Sequence, residues 1–250
     1  MPPVGLVRIL AAALLGALAA CGAAESERER LTVFAAASLT AAFEGLETAF
    51  EARHPDLDLV LHVAGTPRLV LQIREGAPVD VFAAADRPNM DRVVDGGRVL
   101  EGPIDFATNR LAIATAPGNP AGIAGLSDLA RADLAVVLCG PEVPAGRYAR
   151  QALASAGVVV ASRSDEPSVD AVLQRVGLGE VDAGIVYATD ILRADGRVAG
   201  VALPPEHDVV ARYPVAVLDG PATEEARRFV AFLTSAEGLA ILSRFGFGPP

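Results

Sequence analysis

Tryptophan is absent from this chain, cysteine occurs twice, and histidine and tyrosine occur three times each. Each scarcity removes a class of chemistry. His54, His62 and His207 stand alone, and no two of them have the spacing of metal ligands. No Walker loop, Gly-x-Ser-x-Gly elbow, Cys-x-x-Cys pair or dinucleotide glycine fingerprint occurs. Asp80, Asp86, Asp182 and Asp190 read as caps of turns and helices rather than as acid–base pairs. The sequence therefore predicts neither an enzyme nor a resident cofactor. Positive charge is short as well: 21 Lys and Arg face 31 Asp and Glu, a formal net charge of −10. That balance argues against nucleic acid or an anionic membrane surface as partner. It does not exclude a small anion, because a pocket of backbone dipoles needs no net positive charge.

One long apolar run is present, and it lies at the amino terminus. Arg8 precedes Ile9 to Ala20, a basic start followed by an apolar core too short for a comfortable membrane span. Residues 1–20 read as a signal peptide, and Leu18-Ala19-Ala20-Cys21 resembles a bacterial lipobox. That resemblance implies that Cys21 is lipidated and becomes the mature amino terminus, with 21–30 as a polar tether. Cys139 would then be the remaining thiol, which rules out an intramolecular disulfide. It ends the apolar run that begins at Leu134 and reads as a buried small hydrophobe.

From Leu31 onward, short β-prone runs alternate with helical patterns. Strands at 31–35 and 57–63 and the run 80–83 each lead to a helix, the pattern of a parallel α/β sheet. A second unit repeats the alternation after residue 107. The expected fold is α/β: two Rossmann-like lobes, each a mixed, mostly parallel sheet flanked by helices. Lobe 1 is 30–107 plus 213–250 and lobe 2 is 108–212, so the chain crosses twice and forms a hinge. A cleft between such lobes is where a small ligand is closed upon.

Ligands of these sheets lie beyond the carboxyl ends of the strands, at helix starts. Five such places carry hydroxyls or small residues. Ser38 sits where the strand 32–34 becomes a helix whose face is Leu39, Ala42, Phe43, Leu46, Ala49 and Phe50. It reads either as a cap of its own helix or as an anion ligand. Thr66 reads as the N-cap before Pro67, and Pro144-Ala145-Gly146 opens a helix with exposed backbone. Ser168-Val169 is another helix start, and Tyr187 ends a strand on the same edge.

Taken together, these segments resemble a known family: the molybdate-binding proteins of ABC transporters, among the class II periplasmic-type solute-binding proteins. The resemblance rests on Val33-Phe34-Ala35-Ala36-Ala37-Ser38-Leu39-Thr40, on Gly76 through Asp86, and on Asn109-Arg110-Leu111. It continues through Val143-Pro144-Ala145-Gly146-Arg147-Tyr148-Ala149, Gly184 through Asp190, Tyr213 through Val217, and Phe245-Gly246-Phe247. It implies a type II periplasmic binding protein fold, molybdate or tungstate as ligand, and an ABC permease with its ATPase as partners. It further implies a monomer on the outer face of the cytoplasmic membrane, touching the membrane through its lipid anchor alone. Carried over residue by residue, the implied oxyanion ligands are Ser38, Thr66, Ala145, Val169 and Tyr187. The chain departs from the family at Gly65-Thr66-Pro67, where a Ser-Ser stretch is usual; Pro67 removes an N–H there, and Arg68 follows it. Rival readings are another tetrahedral oxyanion such as sulfate, and a sensor that uses the same fold without transport. A ferric-iron site usually needs clustered tyrosines, and Tyr148, Tyr187 and Tyr213 are far apart in sequence.

Overall fold

The computed structural model describes residues 28–250. The signal peptide, Cys21 and most of the tether lie outside the described residues. Among the described residues, ten strands and eight α-helices follow one another in the order of the alternating pattern. The first group is β1 (Glu29–Ala36), α1 (Thr40–Glu51), β2 (Leu57–Ala64), α2 (Thr66–Arg74), β3 (Val81–Ala83), α3 (Arg87–Asp95) and β4 (Val99–Asn109). Next come β5 (Leu111–Thr115), β6 (Val136–Cys139), α4 (Pro144–Ser155), β7 (Asp165–Glu166), α5 (Val169–Gly177), β8 (Ala183–Tyr187), α6 (Ala188–Arg193) and β9 (Ala199–Ala202). The chain closes with β10 (Ala211–Leu218), α7 (Thr223–Leu233) and α8 (Ala236–Arg244).

The strands form two five-stranded sheets, ordered β2-β1-β3-β10-β4 and β7-β6-β8-β5-β9. Pairing is parallel at β2-β1-β3 and at β7-β6-β8, and antiparallel where β10, β4, β5 and β9 join. Both sheets are thus mixed, with their parallel portions made by strand–helix–strand units. The chain leaves the first sheet along β4 and enters β5 with Arg110 alone between them. It returns along β10, whose Ala211, Arg212 and Tyr213 pair with Asn109, Thr108 and Ala107 of β4. The two crossings therefore run side by side as a hydrogen-bonded ribbon.

Each sheet is held by the apolar stripes of its helices. In α1, Ala42, Phe43, Leu46 and Phe50 are buried, and Ala49 packs beside them, as the spacing predicts. Phe50 meets Phe229 of α7 edge to face at 5.3 Å, and Phe43 meets Phe106 of β4 at 6.0 Å. Burying a side chain of this size contributes roughly 1.5–3 kcal/mol. On the opposite face of the first sheet, Leu69, Val70 and Ile73 of α2 and Met90 and Val93 of α3 form a second buried cluster with Phe34 and Phe82. β4 is the element least visible in the sequence. Its first half is largely exposed and interrupted by Gly102-Pro103, so it carries no alternation, and β10 supplies the pairing that makes it a strand.

The aspartates do serve the backbone. Asp80 accepts from Thr32 N–H and Ala222 N–H at 2.8 Å each, and Asp182 accepts from Ala135 N–H at 2.6 Å. Asp86 caps α3, accepting from Asn89 N–H at 3.1 Å. His62 bonds Gln72 at 3.0 Å and His207 bonds Ser155 at 3.1 Å, both structural roles. Cys139 is fully buried, and burial pushes its thiol well above the ordinary range.

Candidate ligand-binding cavity

The carboxyl ends of β1, β2, β6, β7 and β8 point toward one place, and a helix begins after each of them. There the protein leaves a small, partly open cavity, with about 10 Å³ available to the centre of a water-sized molecule. The first sheet contributes Ala36, Ala37, Ser38, Gly65, Thr66 and Ala85 to its wall; the second contributes Val143, Pro144, Ala145, Ser168, Val169 and Tyr187. Ser38, Thr66, Ala145, Val169 and Tyr187 thus line a single cavity, each nearly or fully buried. No charged side chain lies in that wall. Arg68 is exposed and takes no part in it.

Two of the expected caps are not caps. Ser38 lies inside a short 3-10 turn, Ala37–Leu39, and makes no side-chain capping bond. Its Oγ instead meets Tyr213 Oη at 2.9 Å. In α2 the N-cap is Gly65; Thr66 is the first helical residue and Pro67 the second. The tight approach of Gly65 explains that shift. A Cβ at Gly65 would lie 2.3 Å from the carbonyl oxygen of Pro167, which belongs to the other lobe. The glycine therefore lets the two walls touch at the rim of the cavity.

Three helix starts supply backbone donors. Ala145 is the second residue of α4, after Val143 as N-cap and Pro144. Val169 is the first residue of α5, capped by Ser168, whose Oγ accepts from Ala171 N–H at 3.3 Å. At these positions, as at Thr66, an N–H has no partner within its own helix and sits at the positive end of the helix dipole. Gly146 makes α4 possible here: a Cβ on it would lie 2.2 Å from the oxygen of Gly140 and 2.3 Å from that of Cys139.

The hydroxyls are oriented by a chain of hydrogen bonds. Arg110 N–H donates to Asn109 Oδ1 at 2.9 Å, which leaves Asn109 Nδ2 to donate to Thr189 Oγ1 at 2.8 Å and to Tyr213 Oη at 3.3 Å. Tyr213 Oη, accepting from Asn109, shares a hydrogen bond with Ser38 Oγ in which either hydroxyl can donate. With Tyr213 as donor, Ser38 keeps its own O–H to donate into the cavity. Tyr213 and Asn109 escape a sequence reading because their partners are remote: 175 positions separate Ser38 from Tyr213.

Tyr187 differs from every other member of the wall. It is 1 % exposed, and its Oη makes no hydrogen bond of good geometry within the described residues, although the Tyr213 hydroxyl is near enough to interact with it. Its ring packs edge to face on Tyr213 at 5.8 Å. Burial, reinforced by the neighbouring Tyr213, Tyr148, Asp86 and Asp190, holds the phenol far above its ordinary range, so it remains an O–H donor. Its backbone is fixed from below: Asp190 Oδ2 accepts Tyr187 N–H at 3.0 Å, and burial pushes Asp190 up to about 6 against the pull of Arg193 and that N–H. A buried donor without an acceptor costs about 1–3 kcal/mol. An acceptor in the cavity would remove that penalty.

The spatial pairing of Tyr187 and Tyr213 is hidden in the sequence, and it bears on iron. Ferric iron requires phenolates free to ligate, whereas Tyr213 Oη is already engaged by Ser38 and Asn109. Among the described residues, no cluster of His, Cys, Asp or Glu suited to a metal ion occurs. What converges on the cavity is a set of neutral donors with no obligatory acceptor, which is the makeup of an anion site.

Comparison with known proteins agrees with this architecture. A family model described as bacterial extracellular solute-binding protein matches residues 31–248. The chain is 38% identical over 252 residues to the molybdate-binding protein ModA of Mycobacterium tuberculosis, with 97% of each chain covered. Among solved structures it resembles the periplasmic molybdate-binding protein of Azotobacter vinelandii, with a TM-score of 0.76 and 20% identity, covering 88% of this chain and 99% of that one. It also resembles the sulfate-binding protein SubI of Mycobacterium tuberculosis, with a TM-score of 0.76 and 18% identity over 88% of this chain and 87% of that one. At those identities the structural likeness concerns the fold, which is common to proteins of both names.

Proposed function

The chain belongs to the family of bacterial extracellular solute-binding proteins, and from that premise we propose that it captures molybdate, and also tungstate, between its lobes and delivers it to an ABC permease. The observation that carries this reading is the unpartnered Tyr187 hydroxyl in a cavity walled by neutral donors. Ser38, Thr66 and Tyr187 act through their hydroxyls, and Ala145 and Val169 through their backbone N–H groups. The lobes are 30–107 plus 213–250 and 108–212, and the β4–β10 ribbon is the hinge between them.

A bare dianion leaves water at a cost of tens of kcal/mol in the Born limit. Hydrogen bonds to a charged group contribute roughly 1.5–3 kcal/mol each, so no single wall suffices. Donors from both lobes must reach the oxygens together, which couples binding to closure. A protonated phosphate would leave its O–H facing donors, and that unpaired group counts against it. A thermal-shift panel of molybdate, tungstate, sulfate and phosphate tests the choice. Molybdate and tungstate should raise the melting temperature most, as saturating ligand stabilises by a few kcal/mol. A shift with sulfate and none with molybdate would overturn it.

The protein works as a monomer held at the outer face of the cytoplasmic membrane by an acyl chain on Cys21, with the permease and its ATPase as partners. Replacing Cys21→Ser should move it from the membrane to the soluble fraction. Retention in the membrane would remove the anchor from this account.

A further inference from the structure

Beside the cavity, two charged side chains meet across the cleft. Ala85 and Ala145 line the wall; Asp86 follows the first directly, and Arg147 lies two residues beyond the second. Asp86 caps α3 in the layer of the first sheet, and Arg147 stands on α4 against the second. The Arg147 guanidinium pairs with Asp86 Oδ2, and Asn89 Nδ2 reaches across to the Glu142 carbonyl at 3.3 Å. We propose that this pair is a latch: Arg147 is a positioning residue that holds the lobes closed and sets how long the bound oxyanion is retained.

The two oxygens of Asp86 have separate tasks. Oδ1 accepts from Asn89 N–H at 3.1 Å and Asn89 Nδ2 at 2.9 Å, all within one lobe. Oδ2 is engaged from the other lobe. The members of the pair also differ in burial: Asp86 is 0% exposed, whereas the Arg147 side chain retains 26%. Closure without Arg147 would bury a lone carboxylate next to a dianion. With the lobes apart, water solvates the same carboxylate at no such penalty. Removing one partner of a buried pair is strongly destabilising because the other charge stays buried, while removing both is often tolerated. Arg147 therefore favours the closed state, and its loss should act on release of ligand rather than on encounter.

The latch rests on the oxyanion reading above, and the test separates the two. Wild-type protein, Arg147→Met, Asp86→Asn and the double variant are loaded with radiolabelled molybdate and chased with unlabelled molybdate. Asn preserves the cap of α3. Arg147→Met should speed dissociation at least about tenfold, with the association rate within about twofold and the ligand-free melting temperature unchanged. Asp86→Asn should have a smaller effect, since a partly exposed guanidinium can turn to water. The decisive signature is rescue: the double variant should release molybdate more slowly than Arg147→Met alone. Dissociation from Arg147→Met within about twofold of wild type, or additive losses in the double variant, would overturn the latch while leaving the oxyanion site intact. Wild-type protein that retains no molybdate, tungstate or sulfate would overturn the oxyanion reading and the latch with it.

Discussion

The two walls of the cavity solve one problem by different means. The first sheet offers side-chain hydroxyls, Ser38 and Thr66, on helix starts otherwise lined by alanine and glycine. Ser38 is backed by Tyr213, Asn109 and Thr189, so its donor direction is set before any ligand arrives. The second sheet offers backbone N–H groups at Ala145 and Val169, which no substitution other than proline removes. Its side-chain hydroxyls are Ser168, whose Oγ caps α5, and Tyr187, whose Oη has no hydrogen-bond partner among the described residues. One wall is preorganised by a satisfied network, and the other holds an unmet demand. The contrast teaches that equal contacts to a ligand can have opposite consequences for the stability of the protein without it.

Replacing Ser38→Ala and Tyr187→Phe separates the walls most sharply. Each removes a hydrogen bond to a charged ligand, about 1.5–3 kcal/mol, or roughly ten- to a hundredfold in molybdate affinity by calorimetry. Their effects on the free protein should differ in sign. Ser38→Ala strands the Tyr213 hydroxyl and should lower stability by about 1–2 kcal/mol in urea titration. Tyr187→Phe removes a buried donor that has no partner, and stability should hold or rise. Equal losses in both variants would dissolve the distinction between the walls.

A second prediction concerns where the walls touch. Gly65 has φ −57°, a conformation open to any residue, so alanine strains the chain only when the Pro167 oxygen is close. Gly65→Ala should therefore cost about 1–3 kcal/mol in the closed, liganded form and spare the ligand-free protein. Molybdate affinity should fall roughly five- to a hundredfold, and ligand-induced contraction in small-angle scattering should shrink.

The smallest effect lies under Tyr187. Asp190 titrates near 6 in the folded protein against an ordinary value of 3.8, with burial as the leading cause. The folded state then holds a proton that the unfolded state has lost between those values. Stability should fall as pH rises from about 4 to about 6 and level off above. Asp190→Asn keeps an acceptor for Tyr187 N–H and should flatten that slope in urea titrations across the same range.

How much of this was legible in the sequence follows the range of each interaction. The helices and central strands rest on local periodicity, and the α1 face from Ala42 to Phe50 is buried as its spacing predicts. The cavity was legible because its members share one topological position, the start of a helix after a parallel strand. The caps of α1 and α2 were misplaced by local pattern. At Ser38 a tertiary partner, Tyr213, takes the hydroxyl, and at Gly65 the close passage of Pro167 demands the glycine. The relay through Asn109, the Tyr187–Tyr213 packing and the Asp86–Arg147 pair join residues dozens of positions apart. A single sequence carries no mark of such partners. β4 depends likewise on β10, since its own exposed half has no pattern to read.

The central claim is that an oxyanion sits between the two walls, held by Ser38 and Thr66 on one side and by Ala145, Val169 and Tyr187 on the other. A crystal structure of the protein grown with molybdate, with the anomalous signal of molybdenum recorded, tests it most directly. One strong anomalous peak is expected inside the cavity, with the oxygens of the bound molybdate within hydrogen-bonding distance of Ser38 Oγ, Tyr187 Oη and the N–H groups of Ala145 and Val169. A peak elsewhere on the molecule, or a bound oxyanion that leaves Tyr187 Oη unpartnered, would contradict it.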